Sequence, residues 1–321
     1  MKAAVYHRYG PPEVLSIEEI AAPEIQAEGH EDRVLIEVHA AAMNPFDVLH
    51  RSGFLPVRPS AGWFAPKYPV LGIDVAGTVA AVGKNVTRMQ VGDAVYGICL
   101  GTHAGFVRAH ERTVAKMPAN LTFTQAAAIP TAALTALQGL RDFGQVVAGQ
   151  NVLINGASGG VGHFAVQIAK SFGAQVTAVT STPNLEWMPA LGADRWIDYT
   201  REDFTRSGPK YDLIYDAVAK RRYFECKPAL TPSGLYLTEN SLKPKFQFFQ
   251  VIFSLLRGDQ RVRTHMARPN AEDLDFLRSL VEDGKLKPVI GKVYPLDEIV
   301  AAHRHLEGGH ARGKIVIQVA D

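Results

Sequence analysis

The feature that most constrains the fold of this chain is a glycine-rich stretch, NVLINGASGGVGHFAVQIAK, at residues 151–170. Val152, Leu153 and Ile154 form a continuous apolar run, which is typical of a strand buried on both faces of a parallel sheet. Behind the glycines, apolar residues recur at helical spacing: Val161, Phe164, Ala165, Ile168, Ala169 and Phe172. The stretch therefore predicts a strand, a tight turn and an amphipathic helix.

The turn itself reads Ala157-x-Gly159-x-x-Gly162, which matches the dinucleotide-binding fingerprint with Ala in its first position. Gly159 and Gly160 would let backbone N–H groups approach a pyrophosphate, and Gly162 would let the helix pack close to the strand. A purely structural turn is the alternative, because any tight strand-to-helix connection favours glycine. The strand, the helix and the further strand–helix units around the turn favour the cofactor loop.

The rest of the chain divides into two patterns. Residues 1–120 read as short strands between turn residues, with candidates AAVYH, RVLIEVHAAA, DVAGTVAAVG, DAVYGIC and GFVRAH. An alanine-rich, helical passage follows, LTFTQAAAIPTAALTALQGL. Strands then alternate with helical patterns, with candidates NVLIN, QVTAVT, RWIDY, DLIYDAV and GLYLTE. This order predicts an all-β domain followed by a parallel sheet covered by helices.

Two helices and a strand are predicted near the end of the chain. Leu274, Leu277 and Leu280 share one face of a helix over residues 271–283. The segment VYPLDEIVAAHRHLEGG, residues 293–309, predicts a second helix that ends at its two glycines, and KIVIQV predicts a last strand.

Composition and charge restrict the class of function. The chain has 321 residues, 47% of them hydrophobic, and its 34 Lys and Arg nearly balance 32 Asp and Glu. This balance argues against a nucleic-acid partner. Cys99 and Cys226 lie far apart and form no CxxC motif, so a reducing, cytoplasmic location is expected. No apolar run is long enough for a signal peptide or a membrane span.

Several segments resemble the zinc-independent branch of the medium-chain dehydrogenase/reductases, which includes quinone oxidoreductases and enone reductases. The resemblance rests on the glycine loop and on AAMNPFDVLHRSG, YPVLGIDVAGTVAAVGKNVTRMQVGDAVYG, AAAIPTAALTALQGL and EDGKLKPVIGKVYPLDEIVAAHRHLEGGHARGKIVI. It implies an α/β protein with a GroES-like β-barrel catalytic domain over 1–122 and a Rossmann domain, a doubly wound parallel sheet, over 123–268. Residues 269–321 would return to the first domain, with the active site in the cleft and a homodimer as the assembly.

The zinc ligands of related alcohol dehydrogenases are missing. By the resemblance, Asn44 stands where those enzymes keep a Cys, and Ile73 where they keep a His. Neither side chain is a usual zinc ligand, so no metal is predicted. His303, His305 and His310 are interpreted as solvated surface residues rather than as a metal site. Without a metal, hydride transfer favours a lipophilic carbonyl substrate with a conjugated C=C bond, or a quinone.

The cofactor predicted is NADPH, with weaker use of NADH possible. NAD enzymes of this fold place an acidic residue about 20 residues past the glycines, whereas QVTAVT runs into Ser181 here. The resemblance places Ser181 and Tyr199 at the 2′-phosphate, although Pro183 replaces a common basic residue. Tyr199 could instead be an edge-strand packing residue. The remaining cofactor contacts implied by the resemblance are Asn44, Thr131, Ser158, Gly159, Gly160, Val161, Val218 and Lys314.

Asn44 and Asp47 are the candidate catalytic residues. Asn44 could donate a hydrogen bond to a substrate oxygen, or could simply form a turn before Pro45. Asp47 is expected to order the loop, with Arg51 as a possible partner, more than to transfer protons. Phe54 and Leu55 stand where quinone reductases often carry a tyrosine, which leaves no obvious proton donor.

Two further alternatives stay open. Residues 246–256, FQFFQVIFSLL, could line a lipophilic pocket, bury a dimer face or form a core helix. A protein that binds NADPH without turnover, in a structural or regulatory role, is the alternative to an enzyme.

Overall fold

The computed structural model describes residues 1–25, 29–206, 208–219, 221–239, 261–309 and 311–320. The chain forms two compact units. The first unit comprises Met1–Thr131, Pro269–Gly284 and Pro288–Asp321, and the second comprises Ala132–Arg268 and Lys285–Lys287. The apolar segment 246–256 lies outside the described residues, so its interpretation is not tested.

The first unit is built on a mostly antiparallel sheet with strand order β14-β15-β3-β4-β5-β7, and β6 also pairs with β3. A separate hairpin joins β1 and β2. The strands are β1 Lys2–Val5, β2 Ser16–Glu19, β3 Arg33–Ala42, β4 Asp74–Val82, β5 Ala94–Ile98, β6 Phe106–His110, β7 Val114–Lys116, β14 Ile290–Pro295 and β15 Lys314–Gln318. Within β3, Val34, Ile36 and Val38 alternate into the core, as the period of a strand requires.

Short helices flank this sheet: α1 Pro45–Ser52, α2 Arg58–Ala61, α3 Phe123–Ala127, α7 Ala271–Glu282 and α8 Ile299–Glu307. α3 begins at a capping box, in which Thr122 Oγ1 accepts from Gln125 N and Gln125 Oε1 accepts from Thr122 N. Ala126 and Ala127 are fully buried, and α3 packs on β3 and β4. The first unit therefore runs to Thr131, beyond the domain boundary at residue 122 given by the sequence.

The last part of the chain agrees with the predicted pattern except at one helix start. Leu274, Leu277 and Val281 face the core from α7. The expectation that a helix begins at Val293 is wrong, because Val293 pairs with Val316 in the parallel ladder of β14 and β15. A 3-10 turn at Leu296–Glu298 separates that strand from α8.

The second unit contains a parallel six-stranded sheet of order β10-β9-β8-β11-β12-β13. Its strands are β8 Asn151–Asn155, β9 Gln175–Thr180, β10 Arg195–Asp198, β11 Tyr211–Asp216, β12 Leu230–Glu239 and β13 Val262–His265. The helices are α4 Pro130–Gln138, which enters this unit from the first, α5 Gly162–Ser171 and α6 Tyr223–Cys226. The chain reverses strand order after β10, so the carboxyl ends of β8 and β11 meet at a topological switch point, the usual ligand position in such sheets.

None of the described helices is long and apolar enough to cross a lipid bilayer.

Candidate functional site

The glycine loop connects β8 to α5 in the second unit, as the sequence predicts. Gly156 has a φ of +84°, and a Cβ there would lie 2.2 Å from Cγ2 of Val218. A Cβ on Gly162 would lie 2.0 Å from the carbonyl oxygen of Gly156. Both positions therefore require glycine, the first for a left-handed turn and the second for close contact between helix and strand.

The loop presents free donors at the start of α5. The N–H groups of Gly160 and Val161 have no hydrogen-bond acceptor within the described part of the chain. Ser158 is fixed beside them, because its Oγ accepts a hydrogen bond from Thr180 Oγ1 at 2.7 Å. Free N–H groups at a helix N-terminus attract anions through their partial positive charge. The loop therefore fits the pyrophosphate of a dinucleotide.

Asp216, at the end of β11, shapes the neighbouring loop. Its Oδ1 accepts hydrogen bonds from Asn155 Nδ2 at 2.9 Å, Val218 N at 3.1 Å and Ala219 N at 2.9 Å. Its Oδ2 accepts from the hydroxyl of Tyr236 at 2.7 Å. Asp216 thus holds Val218 against Gly156 at the switch point. The sequence analysis missed it, although an acid that ends a predicted buried strand was a usable signal.

The carboxyl ends of β9 and β10 hold the other predicted cofactor contacts. Ser181 follows β9 and its Oγ accepts from Asn184 Nδ2 at 3.1 Å. Tyr199 follows β10, and its side chain is 51% exposed. Because β10 is the edge strand of this sheet, the half-exposed ring fits a residue open to a ligand and an edge-strand packing residue alike.

Asp198 is a carboxylate that sequence analysis missed, because it ends the neighbouring strand rather than β9 itself. Its Cα is paired with that of Thr180 across the two strands. Its oxygens accept hydrogen bonds from the hydroxyls of Thr182 at 2.5 Å and Thr200 at 2.7 Å. These bonds lower the pKa of Asp198 and occupy both of its oxygens.

The first unit contains a buried polar cluster at Asn44, Asp74 and Lys314. Lys314 Nζ donates to Asn44 Oδ1 at 2.7 Å, to Met43 O at 3.0 Å and to Asp74 Oδ2 at 3.2 Å. Asn44 Nδ2 donates to Ala42 O at 3.1 Å and to Asp74 Oδ2 at 2.9 Å. Asp74 Oδ1 accepts from the backbone N–H of Thr131 at 2.8 Å.

This cluster changes the interpretation of Asn44. Both hydrogens of its amide nitrogen are already donated within the protein, and its side chain is only 4% exposed. A direct hydrogen bond to a substrate oxygen would require one of these bonds to break. The geometry therefore favours a positioning role, in which Asn44 and Lys314 fix the Asp74 carboxylate that holds Thr131 at the start of α4.

Asp47 orders the loop, as expected, but its partners are backbone groups rather than Arg51. Its carboxylate accepts from Asn44 N at 2.7 Å and from Gly72 N at 2.9 Å. Burial raises the pKa of Asp47 to about 7, although these two hydrogen bonds oppose the shift. Arg51 instead donates to Gly10 O at 3.0 Å and forms an ion pair with Glu307. The expectation of an Asp47–Arg51 pair is therefore wrong.

The histidines of α8 differ from expectation. His303 is fully buried, so its interpretation as a solvated residue is wrong. Ile299, Ala302 and His303 lie on one helical face, and this spacing was visible in the sequence. Burial lowers the pKa of His303 to about 2, with a further contribution from His103. His305 lies 3.1 Å from the hydroxyl of Tyr294, and residue 310 is outside the described chain.

Within the described ranges, no group of three or more His, Cys, Asp or Glu side chains could hold a metal ion. The predicted site residues instead form two groups. In the first unit, Asn44, Thr131 and Lys314 donate hydrogen bonds to Asp74, and Asp47 is linked to this group through the backbone N–H of Asn44. In the second unit, the predicted cofactor contacts lie at the carboxyl edge of the parallel sheet: Ser158, Gly159, Gly160, Val161, Ser181, Tyr199 and Val218.

A glycine loop of this geometry on a parallel sheet, joined to an antiparallel first unit, is typical of a dinucleotide-dependent oxidoreductase. Comparisons with known proteins agree. The family model described as an alcohol dehydrogenase GroES-like domain matches residues 30–137, and that of a zinc-binding dehydrogenase matches residues 191–317. The chain belongs to the medium-chain dehydrogenase/reductase family, in the branch of quinone oxidoreductases and enone reductases, which confirms the resemblance seen in the sequence.

Two curated relatives are similar over nearly the whole chain. The 2-methylene-furan-3-one reductase of Solanum lycopersicum is 37% identical over 332 residues, which cover 99% of this chain and 79% of that protein. The chloroplastic NADPH-dependent alkenal/one oxidoreductase of Arabidopsis thaliana is 35% identical over 337 residues, with the same coverage.

A solved structure is similar as well. The quinone oxidoreductase from Coxiella burnetii superposes with a TM-score of 0.89 at 34% identity and covers 100% of this chain and 99% of its own. The protein is therefore an NAD(P)H-dependent oxidoreductase with a GroES-like domain and a Rossmann-type domain.

Proposed function

We propose that this protein uses NADPH to reduce an activated C=C bond of an enone or enal, or a quinone, without a catalytic metal. The observation that carries the proposal is the buried Asn44–Asp74–Lys314 cluster, which includes Asn44, the residue that by the resemblance stands where zinc relatives keep a Cys. The ammonium of Lys314 lies 2.7 Å from Asn44 Oδ1 and 3.2 Å from Asp74 Oδ2. A fixed cation on these oxygens leaves no anionic ligand for a second cation.

The proposed acceptor follows from how negative charge is stabilised after hydride transfer. When bound, the cofactor supplies a hydride from C4 of its nicotinamide. In the proposed metal-free site, no metal cation stabilises a localised alkoxide, so the acceptor itself spreads the negative charge. An enolate or a hydroquinone oxygen does so, whereas a simple ketone does not. This restricts the substrate to a conjugated, lipophilic carbonyl compound or a quinone.

The chain's own residues position the reaction. Asp74 fixes the N–H of Thr131 at the start of α4, and Asn44 and Lys314 fix Asp74. Asp47 holds Gly72, two residues before Asp74. Phe54 and Leu55 provide no acid, so water or a cofactor hydroxyl is proposed as the source of the proton.

The proposed cofactor is NADPH. Ser181 and the exposed ring of Tyr199 support a preference for NADPH, because hydroxyl donors can bind a 2′-phosphate. The negative charge of Asp198, which would oppose a 2′-phosphate, is partly offset by Arg201, whose Nε lies 3.6 Å from Asp198 Oδ2. Pro183 provides no basic group, so the preference over NADH is proposed to be modest, with NADH used more weakly.

The names of relatives support the substrate class. One is a 2-methylene-furan-3-one reductase, a second an alkenal/one oxidoreductase and a third a quinone oxidoreductase. Each acts, by name, on a carbonyl conjugated with a C=C bond or on a quinone. Because the similarity to these relatives extends over nearly the whole chain, the same substrate class is proposed here.

The experiment that tests this function compares three acceptors in steady-state oxidation of NADPH. They are an α,β-unsaturated ketone, its saturated counterpart and a 1,4-benzoquinone. The proposal expects turnover of the unsaturated ketone, the quinone or both, and none of the saturated ketone. A protein that binds NADPH but turns over none of them, or that reduces the saturated ketone equally well, would contradict the proposal.

We also propose that the protein is a homodimer located in the cytoplasm. Both cysteines are free, which supports a reducing compartment. Light scattering on the purified protein tests the dimer, and cell fractionation tests the location.

A further inference from the structure

An exposed apolar lobe projects from the first unit at residues 54–69, which we call the aromatic lobe. Phe64 is 99% exposed, Leu55 69%, Trp63 59% and Tyr68 47%. A group of large apolar side chains that are close in sequence and exposed to water is typical of an interaction surface. Leu55 lies beside the site by the resemblance, whereas Trp63, Phe64 and Tyr68 have no role in the proposed catalysis.

The lobe is a built structure rather than a loose end. Tyr9 donates its hydroxyl to Gly62 O at 2.6 Å, and Arg58 Nε donates to Gly53 O at 2.8 Å. Lys67 N donates to Ala61 O at 2.7 Å and closes the turn that carries Trp63 and Phe64.

Gly62 makes this turn possible. Its φ is +115°, and a Cβ there would lie 2.1 Å from Ala65 O. The fold therefore fixes the backbone of the turn from which Trp63 and Phe64 extend into solvent.

The charge of this region is one-sided. No Asp or Glu occurs between Asp47 and Asp74, whereas Arg58 and Lys67 lie within the lobe. Lys67 Nζ lies 5.4 Å from the centre of the Tyr68 ring, so a cation flanks the exposed aromatic groups. Aromatic side chains beside basic ones, with no acid, suit an anionic lipid headgroup layer, where Trp and Tyr rings are preferred and Lys and Arg are attracted.

We propose that the aromatic lobe docks this protein reversibly on a bilayer that contains anionic phospholipid, with Trp63 and Phe64 inserted among the headgroups. A nearly fully exposed Phe64 suits a soft, deformable interface better than a flat protein surface, because it projects without a complementary pocket. Such docking goes beyond the proposed catalysis and does not depend on it. It would give the enzyme access to lipophilic acceptors that dissolve in membranes.

The test is co-sedimentation with vesicles of phosphatidylcholine alone and of phosphatidylcholine mixed with phosphatidylserine. The wild-type protein should bind the mixed vesicles, and added salt should weaken this binding. The double variant Trp63→Ser, Phe64→Ser should lower the partition coefficient about 10-fold or more. Lys67→Glu should reduce binding to the mixed vesicles specifically.

Matched controls come from the second unit. Val147 is 59% exposed and Trp196 47%, so Val147→Ser and Trp196→Ser remove similar exposed groups elsewhere. Both controls should bind vesicles as the wild type does. Vesicles should also shift the tryptophan emission of Trp196→Ser to shorter wavelength, but not that of Trp63→Ser.

Three results would overturn the proposal. The first is no binding to mixed vesicles, and the second is binding that the double variant retains in full. The third is a protein that binds no vesicles and whose double variant has an altered oligomeric state or an altered KM for a water-soluble enone. An altered oligomeric state would assign the lobe to contact with a second copy of the chain, and an altered KM would assign it to the substrate. Activity with the water-soluble enone is measured in parallel, so failure of docking and failure of catalysis are distinguishable.

Discussion

The ammonium of Lys314 donates a 2.7 Å hydrogen bond to the side-chain oxygen of Asn44, a residue 270 positions earlier in the chain. Both residues are buried, and both also contact Asp74. Asn44, which by the resemblance stands where zinc relatives keep a metal-binding Cys, is therefore part of a closed network of hydrogen bonds and charges. This relationship leads to a positioning role for Asn44 rather than direct contact with substrate.

Replacement of Asn44 tests that role. In Asn44→Ala, Lys314 loses an acceptor and Asp74 loses a donor, so the N–H of Thr131 is held less firmly. We expect kcat to fall by up to about 100-fold, because small misplacement of reacting groups has effects of this size. The NADPH dissociation constant and the KM should change far less. Unchanged kcat in a folded variant would contradict the positioning role.

The glycine loop provides a second prediction. In Gly160→Val, a branched side chain would cover the free N–H groups at the start of α5. The NADPH dissociation constant should rise about 10-fold or more, which corresponds to about 1.4 kcal/mol. Gly162→Ala serves as the contrasting variant, because its Cβ would meet Gly156 O. That variant should lose about 1–3 kcal/mol of folding stability through overpacking. Fluorescence titration and denaturant unfolding measure the two effects, and wild-type affinity in folded Gly160→Val would leave the loop as a mere turn.

Tyr199 tests the cofactor preference. Tyr199→Phe removes one hydroxyl that is proposed to bind the 2′-phosphate. A hydrogen bond to a charged group contributes about 1.5–3 kcal/mol, so the preference for NADPH should fall by about 10-fold or more. The kcat/KM with NADH should stay the same. Tyr68→Phe is a control of similar exposure in the first unit. An equal preference in wild type and Tyr199→Phe would remove Tyr199 from the site.

Asp47 predicts a pH dependence of stability. Burial raises the pKa of its carboxyl from 3.8 to about 7 in the folded protein. The folded state therefore holds a proton that the unfolded state releases. The contribution of this proton to stability is complete below the unfolded pKa and is lost as the pH rises through about 7.

Asp47→Asn isolates this contribution, since the buried His103 and His303 change stability in the opposite direction. Burial lowers the pKa of His103 to about 3 and that of His303 to about 2. The contribution of these two residues to the stability of the folded protein is therefore lost as the pH falls. Between pH 4 and pH 7, the free energy of unfolding of the wild type should fall relative to that of Asp47→Asn. Denaturant unfolding at several pH values measures this difference, and parallel profiles would contradict the prediction.

Local patterns predicted much of this fold. The apolar run Val152–Ile154 and the helical spacing behind it fixed β8, the turn and α5, because each depends on residues near in sequence. The start of α8 was not predicted, since the pairing of Val293 with Val316 depends on a distant strand. The buried position of His303 was missed for a different reason. Histidine is usually a surface residue, and this expectation was given more weight than the helical spacing that places His303 on the same face as Ile299 and Ala302.

The residues of the candidate site were likewise predicted only where a local motif carries their geometry. The glycine loop was predicted because a short motif carries its geometry. The contacts of Lys314 with Asn44 and Asp74 join three distant segments, and no local pattern gives their distances. Asp198 was missed because two strands, β9 and β10, end side by side only in the folded sheet.

The central claim is metal-free hydride transfer to a conjugated acceptor. The most direct measurement uses NADPH deuterated at C4 and an α,β-unsaturated ketone, with enzyme that has been exhaustively treated with a chelator, and locates the label in the product by mass spectrometry. We expect full activity after chelation and deuterium on the β-carbon of the saturated ketone product. Activity that is lost on chelation and restored by zinc, or deuterium on the carbonyl carbon of an alcohol product, would contradict it.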